Sequence, residues 1–128
     1  MRLKIFQPSE IFLDTLVTKV VGESPAGSFA ILPRHIDMAT ALAPGILSCE
    51  TEDRGTTFLA LNGGILVKQG DQISIATRLA IGGELGALRK EVDRIINEVD
   101  ERERKTRSAV ARLEADFVRR FVEFGKHV

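Results

Sequence analysis

The sequence has no tryptophan, no tyrosine and a single cysteine, Cys49, among its 128 residues. Its 18 basic side chains are matched by 18 acidic ones. It therefore lacks both the stacking platforms and the positive field on which nucleic-acid binding depends. A lone cysteine excludes a disulfide framework within the chain, which fits a reducing compartment. No apolar run approaches the roughly 20 residues that span a bilayer. Met1-Arg2-Leu3-Lys4-Ile5-Phe6 passes directly into a strand pattern, with no signal-peptide h-region. The expectation is a cytosolic chain with no direct membrane insertion, held near a membrane only through partners.

Chemistry-bearing residues are equally sparse. The histidines are His35 and His127, the latter at the C-terminal end. Cys49 sits in a strand-like run with no basic neighbour to lower its pKa, so it reads as a buried structural thiol. No spacing of His, Cys, Asp or Glu matches a zinc or calcium site. Asn62-Gly63-Gly64 lacks the Gly-Lys-Ser/Thr ending of a phosphate-binding loop and reads as a hairpin turn. No catalytic residue, metal ligand or cofactor site is expected.

Proline and glycine are missing from one long stretch, Ala87 to Phe124. All four prolines and ten of the eleven glycines come at or before Gly86. Turn residues cut a chain into short pieces, and their absence lets a helix run. More than half of the charged side chains also fall in residues 87–128. A boundary near Ile81-Gly82-Gly83-Glu84 predicts a β domain over 1–83 and a helical domain over 84–128.

In the first part, Leu3 and Ile5 alternate with Arg2 and Lys4, as in a half-buried strand. Leu13 to Val21 is rich in β-branched residues and stops at the Gly22–Gly27 stretch. Phe29 to Leu32 closes at Pro33, and Ile46 to Cys49 follows the turn dipeptide Pro44-Gly45. Thr57 to Leu61 and Ile65 to Val67 flank Asn62-Gly63-Gly64, and Gln72 to Ala76 follows Gln69-Gly70-Asp71. Many short strands at this spacing predict an antiparallel β-sandwich or small barrel.

In the second part, Leu88, Val92, Ile95, Ile96 and Val99 form one apolar stripe at helical spacing. Val110, Leu113, Phe117, Phe121 and Phe124 form another. Between them, Glu98–Arg102, Asp100–Arg104, Glu101–Lys105 and Glu103–Arg107 are acid-before-base pairs at i,i+4. Each stabilises a continuous helix by about 0.2–0.5 kcal/mol. The local sequence favours one extended helix, whereas the two stripes also permit an α-helical hairpin. Phe117, Phe121 and Phe124, with Arg112, Arg119 and Arg120 nearby, suit either a core or a partner-helix seam, where Phe and Arg are enriched.

Three motifs in order carry a family resemblance: Gly27-Ser28-Phe29-Ala30-Ile31-Leu32-Pro33-Arg34-His35, Leu42-Ala43-Pro44-Gly45-Ile46-Leu47, and Phe58 to Leu66 through Asn62-Gly63-Gly64. Together they resemble the epsilon subunit of bacterial F-type ATP synthases, over residues 1 to about 90. The resemblance implies a β-sandwich followed by a two-helix region. It implies a non-catalytic central-stalk subunit on the cytoplasmic face of the bacterial plasma membrane. Its partners would be the gamma subunit, the membrane c-ring and, through the helical tail, the alpha/beta catalytic head. The tail would either fold against the sandwich or rise along gamma to inhibit ATP hydrolysis.

By position, Ser28 and His35 fall where the family contacts the ring. Ser28 replaces an often acidic residue and brings no charge of its own. Some family members sense ATP through an (Ile/Leu)-Asp-X-X-Arg-Ala motif. Here the matching stretch is Leu85-Gly86-Ala87-Leu88-Arg89-Lys90, which keeps Leu85 and Arg89 but has Gly86 for the aspartate and Lys90 for the alanine. No ATP sensing is expected. The tail sequence resembles the alternate, second-operon class of F-type ATPase, sometimes called N-ATPase and suggested to pump sodium. The competing class is a β-sandwich adaptor with a coiled-coil tail, unrelated to ATP synthase.

Overall fold

The computed structural model describes residues 1–126, apart from the side chains of Val99, Glu114, 116–118, Arg120 and 121–126. In chain order the elements are β1 (Arg2–Gln7), β2 (Glu10–Leu16), β3 (Lys19–Ser24), β4 (Gly27–Ile31), β5 (Met38–Leu42), β6 (Gly45–Thr51), β7 (Gly55–Leu61), β8 (Gly64–Gln69), β9 (Gln72–Ala76), β10 (Ala80–Gly82) and α1 (Leu85–Lys126). The strands form two five-stranded sheets, ordered β2-β1-β9-β8-β5 and β10-β7-β6-β3-β4. Face to face they make the expected β-sandwich. One pair, β1 with β9, is parallel, and the other pairs are antiparallel.

The alternation read from the sequence places the core. Leu3 and Ile5 of β1 stand in register with Ile73 and Ile75 of β9, and all four are fully buried. Across from them the second sheet contributes Val20, Ile31, Leu47, Cys49, Leu59 and Leu61. Burying each large aliphatic side chain contributes about 1.5–3 kcal/mol, so this layer supplies most of the driving force for closing the two sheets.

Two readings made from the sequence are corrected. Leu13 to Val21 is not one strand, because the chain changes sheets at Val17-Thr18. The Val17 N–H donates to Met1 O at 2.8 Å, on the first sheet's side. The next residue, Thr18, donates its N–H to Glu50 O on the second, at 2.7 Å. Asn62-Gly63 likewise is not a hairpin turn, because β7 belongs to the second sheet and β8 to the first. At Gly64 a Cβ would overlap the carbonyl oxygen of Ala76, so the glycine is required by the close approach of β8 to β9. Two strands, β5 and β10, carry no alternation that the sequence made visible. Gly70 does sit in a tight hairpin, with φ 59° at the first loop position, as a type II′ turn requires.

The chain divides into two compact units, Met1–Ile95 and Ile96–Val128. Within the first unit, Ala60 points away from the sandwich core by register and is still only 1% exposed. Leu88 and Ile95 of α1 are also buried and also lie outside the core cluster. The second unit is helix throughout its described residues. Of the hairpin and the extended form, the structure has one helix of 42 residues. Glu103 and Arg107 meet at 3.9 Å, 60% and 81% exposed, a contact so solvated that it contributes little. Thr106 Oγ1 donates back to Arg102 O at 2.9 Å, which satisfies a hydroxyl that would otherwise compete with the helix.

Candidate partner-docking surface

The outer face of the first sheet is open and carries an apolar row. Register pairs Ile11 with Phe6, Phe6 with Ala76, Ala76 with Ile65, and Ile65 with Ala41. The row thus crosses all five strands, and each of its members is exposed, Ile65 at 59% and Ile11 at 55%. Val67, between Ser74 and Ala39 in the next row, extends it. Small residues on β5 and β9 leave Ile65 and Val67 standing proud of a flat surface. A shallow cleft lined by Phe6, Pro8, Asn62, Ile65, Ala76 and Arg78 opens at one end. The other end is polar, with an Arg2–Asp14 ion pair at 2.7 Å beside Lys4. An ordered apolar row with a charged margin is the usual anatomy of a protein interface.

The corner between β4 and β5 joins the edge strands of the two sheets. Ser28 lies exposed on edge strand β4, held in register by the tight Ser24–Gly27 turn, where Ser24 Oγ donates to Gly27 O and accepts from Ala26 N–H. Directly across from Ser28 is Glu23, a carboxylate that sequence reasoning passed over because it belongs to the preceding strand. His35 closes a β-turn over Pro33-Arg34, its N–H donating to Leu32 O at 2.9 Å. Its ring Nδ1 lies 2.9 Å from Ile36 O, as a donor in the corresponding tautomer. The local backbone bond and the exposed corner are therefore both present, with Leu32 and Ile36 exposed on either side.

Beneath this corner is Lys68, a residue the sequence reading missed. It lies on β8 at the inward position two residues after Leu66 and is 2% exposed. Its Nζ donates to the carbonyls of His35 and Gly70, and Gly70 N–H donates to Asp37 Oδ1 at 2.8 Å. The signal was a charge at an inward parity position of a strand, a place where an unpaired ammonium is costly.

Leu85, Gly86, Arg89 and Lys90 form the first turns of α1, with Gly86, Arg89 and Lys90 exposed. The first turn of α1 carries no acidic side chain. The seam residues Phe117, Arg120, Phe121 and Phe124 lie outside the described side chains, and His127 lies outside the described residues. Cys49 is 1% exposed in the core, and desolvation raises its thiol pKa. Among the described residues, no helix is long and apolar enough to cross a membrane.

Comparison with known proteins follows the same outline. Residues 1–92 match the family model described as ATP synthase, Delta/Epsilon chain, beta-sandwich domain. The chain is 29% identical over 127 residues to the ATP synthase epsilon chain 2 of Paraburkholderia xenovorans (strain LB400), covering 97% of this chain and 91% of that one. It is 30% identical over 105 residues to the ATP synthase epsilon chain 2 of Cereibacter sphaeroides, covering 80% and 72%. Among solved structures, a chain of the Euglena gracilis mitochondrial ATP synthase (OSCP/F1/c-ring, rotational state 1) superposes with a TM-score of 0.61 at 23% identity. The match covers 72% of this chain and 61% of that one. A chain of the Tetrahymena thermophila mitochondrial ATP synthase central stalk/c-ring gives 0.54 at 13% identity, covering 77% and 94%. At these identities the two structures attest the fold.

Proposed function

We propose, because the chain belongs to the family of ATP synthase delta/epsilon chains as an epsilon-type subunit, that it is a non-catalytic central-stalk subunit of an F-type ATP synthase. In this role it couples an ion-translocating c-ring, driven by protons or sodium, to the catalytic head through the gamma subunit. It works by binding, with no covalent step. The sandwich, 1–83, is the docking module, and 84–128 is the regulatory tail that reaches the alpha/beta head and restrains hydrolysis. The complex sits at the cytoplasmic face of the bacterial plasma membrane, with this chain peripheral to it. The names of the two relatives above, both epsilon chain 2, support placement in a second, alternate set of F-type subunits.

The observation that carries the assignment is the open apolar row on the first sheet. On the second sheet the outward residue Ala60 is buried, whereas the row on the first sheet is exposed along its whole length and left for a partner. Gamma is that partner, seated on Phe6, Ile11, Ile65 and Val67, while the β4–β5 corner with Ser28 and His35 faces the polar loops of the c-ring. Co-expression with the cognate gamma subunit tests this. A stoichiometric complex is expected on size exclusion, and Ile65→Lys should abolish it while leaving thermal unfolding of the free subunit unchanged. A complex indifferent to Ile65→Lys and Val67→Lys would move the gamma site off this face.

A further inference from the structure

The buried ammonium of Lys68 has no counterpart in the docking scheme above, and its partners explain why it is there. Among the described residues no ion pair involves it. Its charge is met instead by carbonyl oxygens from two segments, His35 on the β4–β5 corner and Gly70 on the β8–β9 hairpin. Asp37 then closes the loop from the other side, its Oδ1 accepting from Gly70 N–H. Lys68 also stands in register with Met38, the first residue of β5, so the clasp grips the corner at the point where it enters the strand. A charge taken out of water is tolerated only where its hydrogen-bonding capacity is met. The corner and the β8–β9 hairpin must therefore each hold a carbonyl in place for the fold to accept Lys68.

The geometry points to Lys68 and Asp37 as positioning residues that fix the β4–β5 corner in one conformation, presenting His35, Leu32 and Ile36 to a protein partner already in the shape that binds. Preorganisation of this kind improves affinity by removing the ordering cost at the moment of docking. The partner assignment rests on the function proposed above, whereas the clasp itself does not.

Amide hydrogen exchange on the isolated subunit tests the clasp first. Asp37→Ala should speed exchange at Gly70 about ten-fold or more, the scale of losing one charge-assisted bond. Asp37→Asn retains an acceptor oxygen and should restore protection. Lys68→Met should shift the His35 ring resonances and speed exchange at His35, with the Ile73 and Ile75 amides unchanged. If Lys68→Met does not fold, the Asp37 pair still decides the matter. Unchanged Gly70 exchange in Asp37→Ala would overturn the clasp.

Binding of the same variants to a purified gamma–c-ring complex tests the positioning role. Weaker binding by Asp37→Ala, recovered in Asp37→Asn, supports it. A loosened corner that binds as tightly as the wild type would overturn it. Failure of the wild-type chain itself to bind that complex would count against the subunit assignment, leaving the exchange result intact.

Discussion

Replacing Gly64 by alanine should be among the most damaging small substitutions in the sandwich, and its cost can be worked from the structure. The new methyl would overlap the carbonyl oxygen of Ala76 and come within 3.1 Å of that carbonyl carbon and 3.2 Å of Thr77 Cα. All three are backbone atoms, so no side chain can rotate away, and relief requires parting β8 from β9. The φ of 133° adds strain of about 1–3 kcal/mol for a residue with a Cβ. A ladder bond lost beside the Ile65–Ala76 pair leaves a polar group unmatched, for about 1–3 kcal/mol more. The total of about 2–6 kcal/mol is a large share of the roughly 5–15 kcal/mol by which such domains are stable. Two further alanines separate the causes. Gly70, with φ 59° and nothing within 4 Å of a Cβ, carries the backbone strain alone, at about 1–2 kcal/mol. Gly86, in the first turn of α1 with open space around it and no positive φ, should gain about 0.5–1 kcal/mol through helix propensity. Urea unfolding followed by circular dichroism at constant m-value orders the three. If Gly64→Ala costs no more than Gly70→Ala, the close approach of β8 to β9 is not what requires the glycine.

Other consequences follow from burial, helix continuity and the degenerate motif. Burial raises the Cys49 thiol pKa, so above about pH 8.5 the unfolded chain ionises before the folded one and stability declines with rising pH. Cys49→Ala should remove that alkaline slope, and iodoacetamide should modify Cys49 only under unfolding conditions. Spin labels at Asn97 and Ala111 flank the charged run; along one helix they should lie about 21 Å apart, whereas a turn within 100–107 would bring them to a much shorter distance. Calorimetric titration with ATP should show no binding at low-millimolar concentrations, and Gly86→Asp alone should not create it, since Lys90 remains.

The two-part plan of the molecule was legible because it rests on local chemistry. Alternation in Leu3-Lys4-Ile5 and Ile73-Ser74-Ile75 names the inward face directly, and the lack of Gly and Pro after Gly86 leaves helix as the local choice. Sheet membership was not legible. Val17-Thr18 contains no turn residue, yet it bridges the two sheets through bonds to Met1 and Glu50. Asn62-Gly63-Gly64 has the composition of a hairpin loop, but its glycine serves a contact with Ala76, remote in sequence. β5 went unread because Met38-Ala39-Thr40-Ala41-Leu42 is mostly small side chains, with weak contrast between its faces. The apolar row failed to show for a related reason, since its five members come from five strands and align only through the pairing register. Lys68 and Glu23 are visible as charges in strands, but only the fold places one beneath His35 and the other beside Ser28. Ser28 and His35 could be singled out beforehand because their motif is contiguous.

The central claim, that this chain turns with the rotor, is tested most directly by a probe on the sandwich itself. A fluorophore attached at Asp53 or Arg54, on the exposed β6–β7 turn, would be watched in single complexes whose alpha/beta head is fixed to a surface. During ATP hydrolysis the probe should revolve together with one carried by gamma, and Ile65→Lys should uncouple the two. A chain that incorporates but stays fixed with the head, or one that ignores the complex and pairs with itself through its tail, would contradict the rotor assignment.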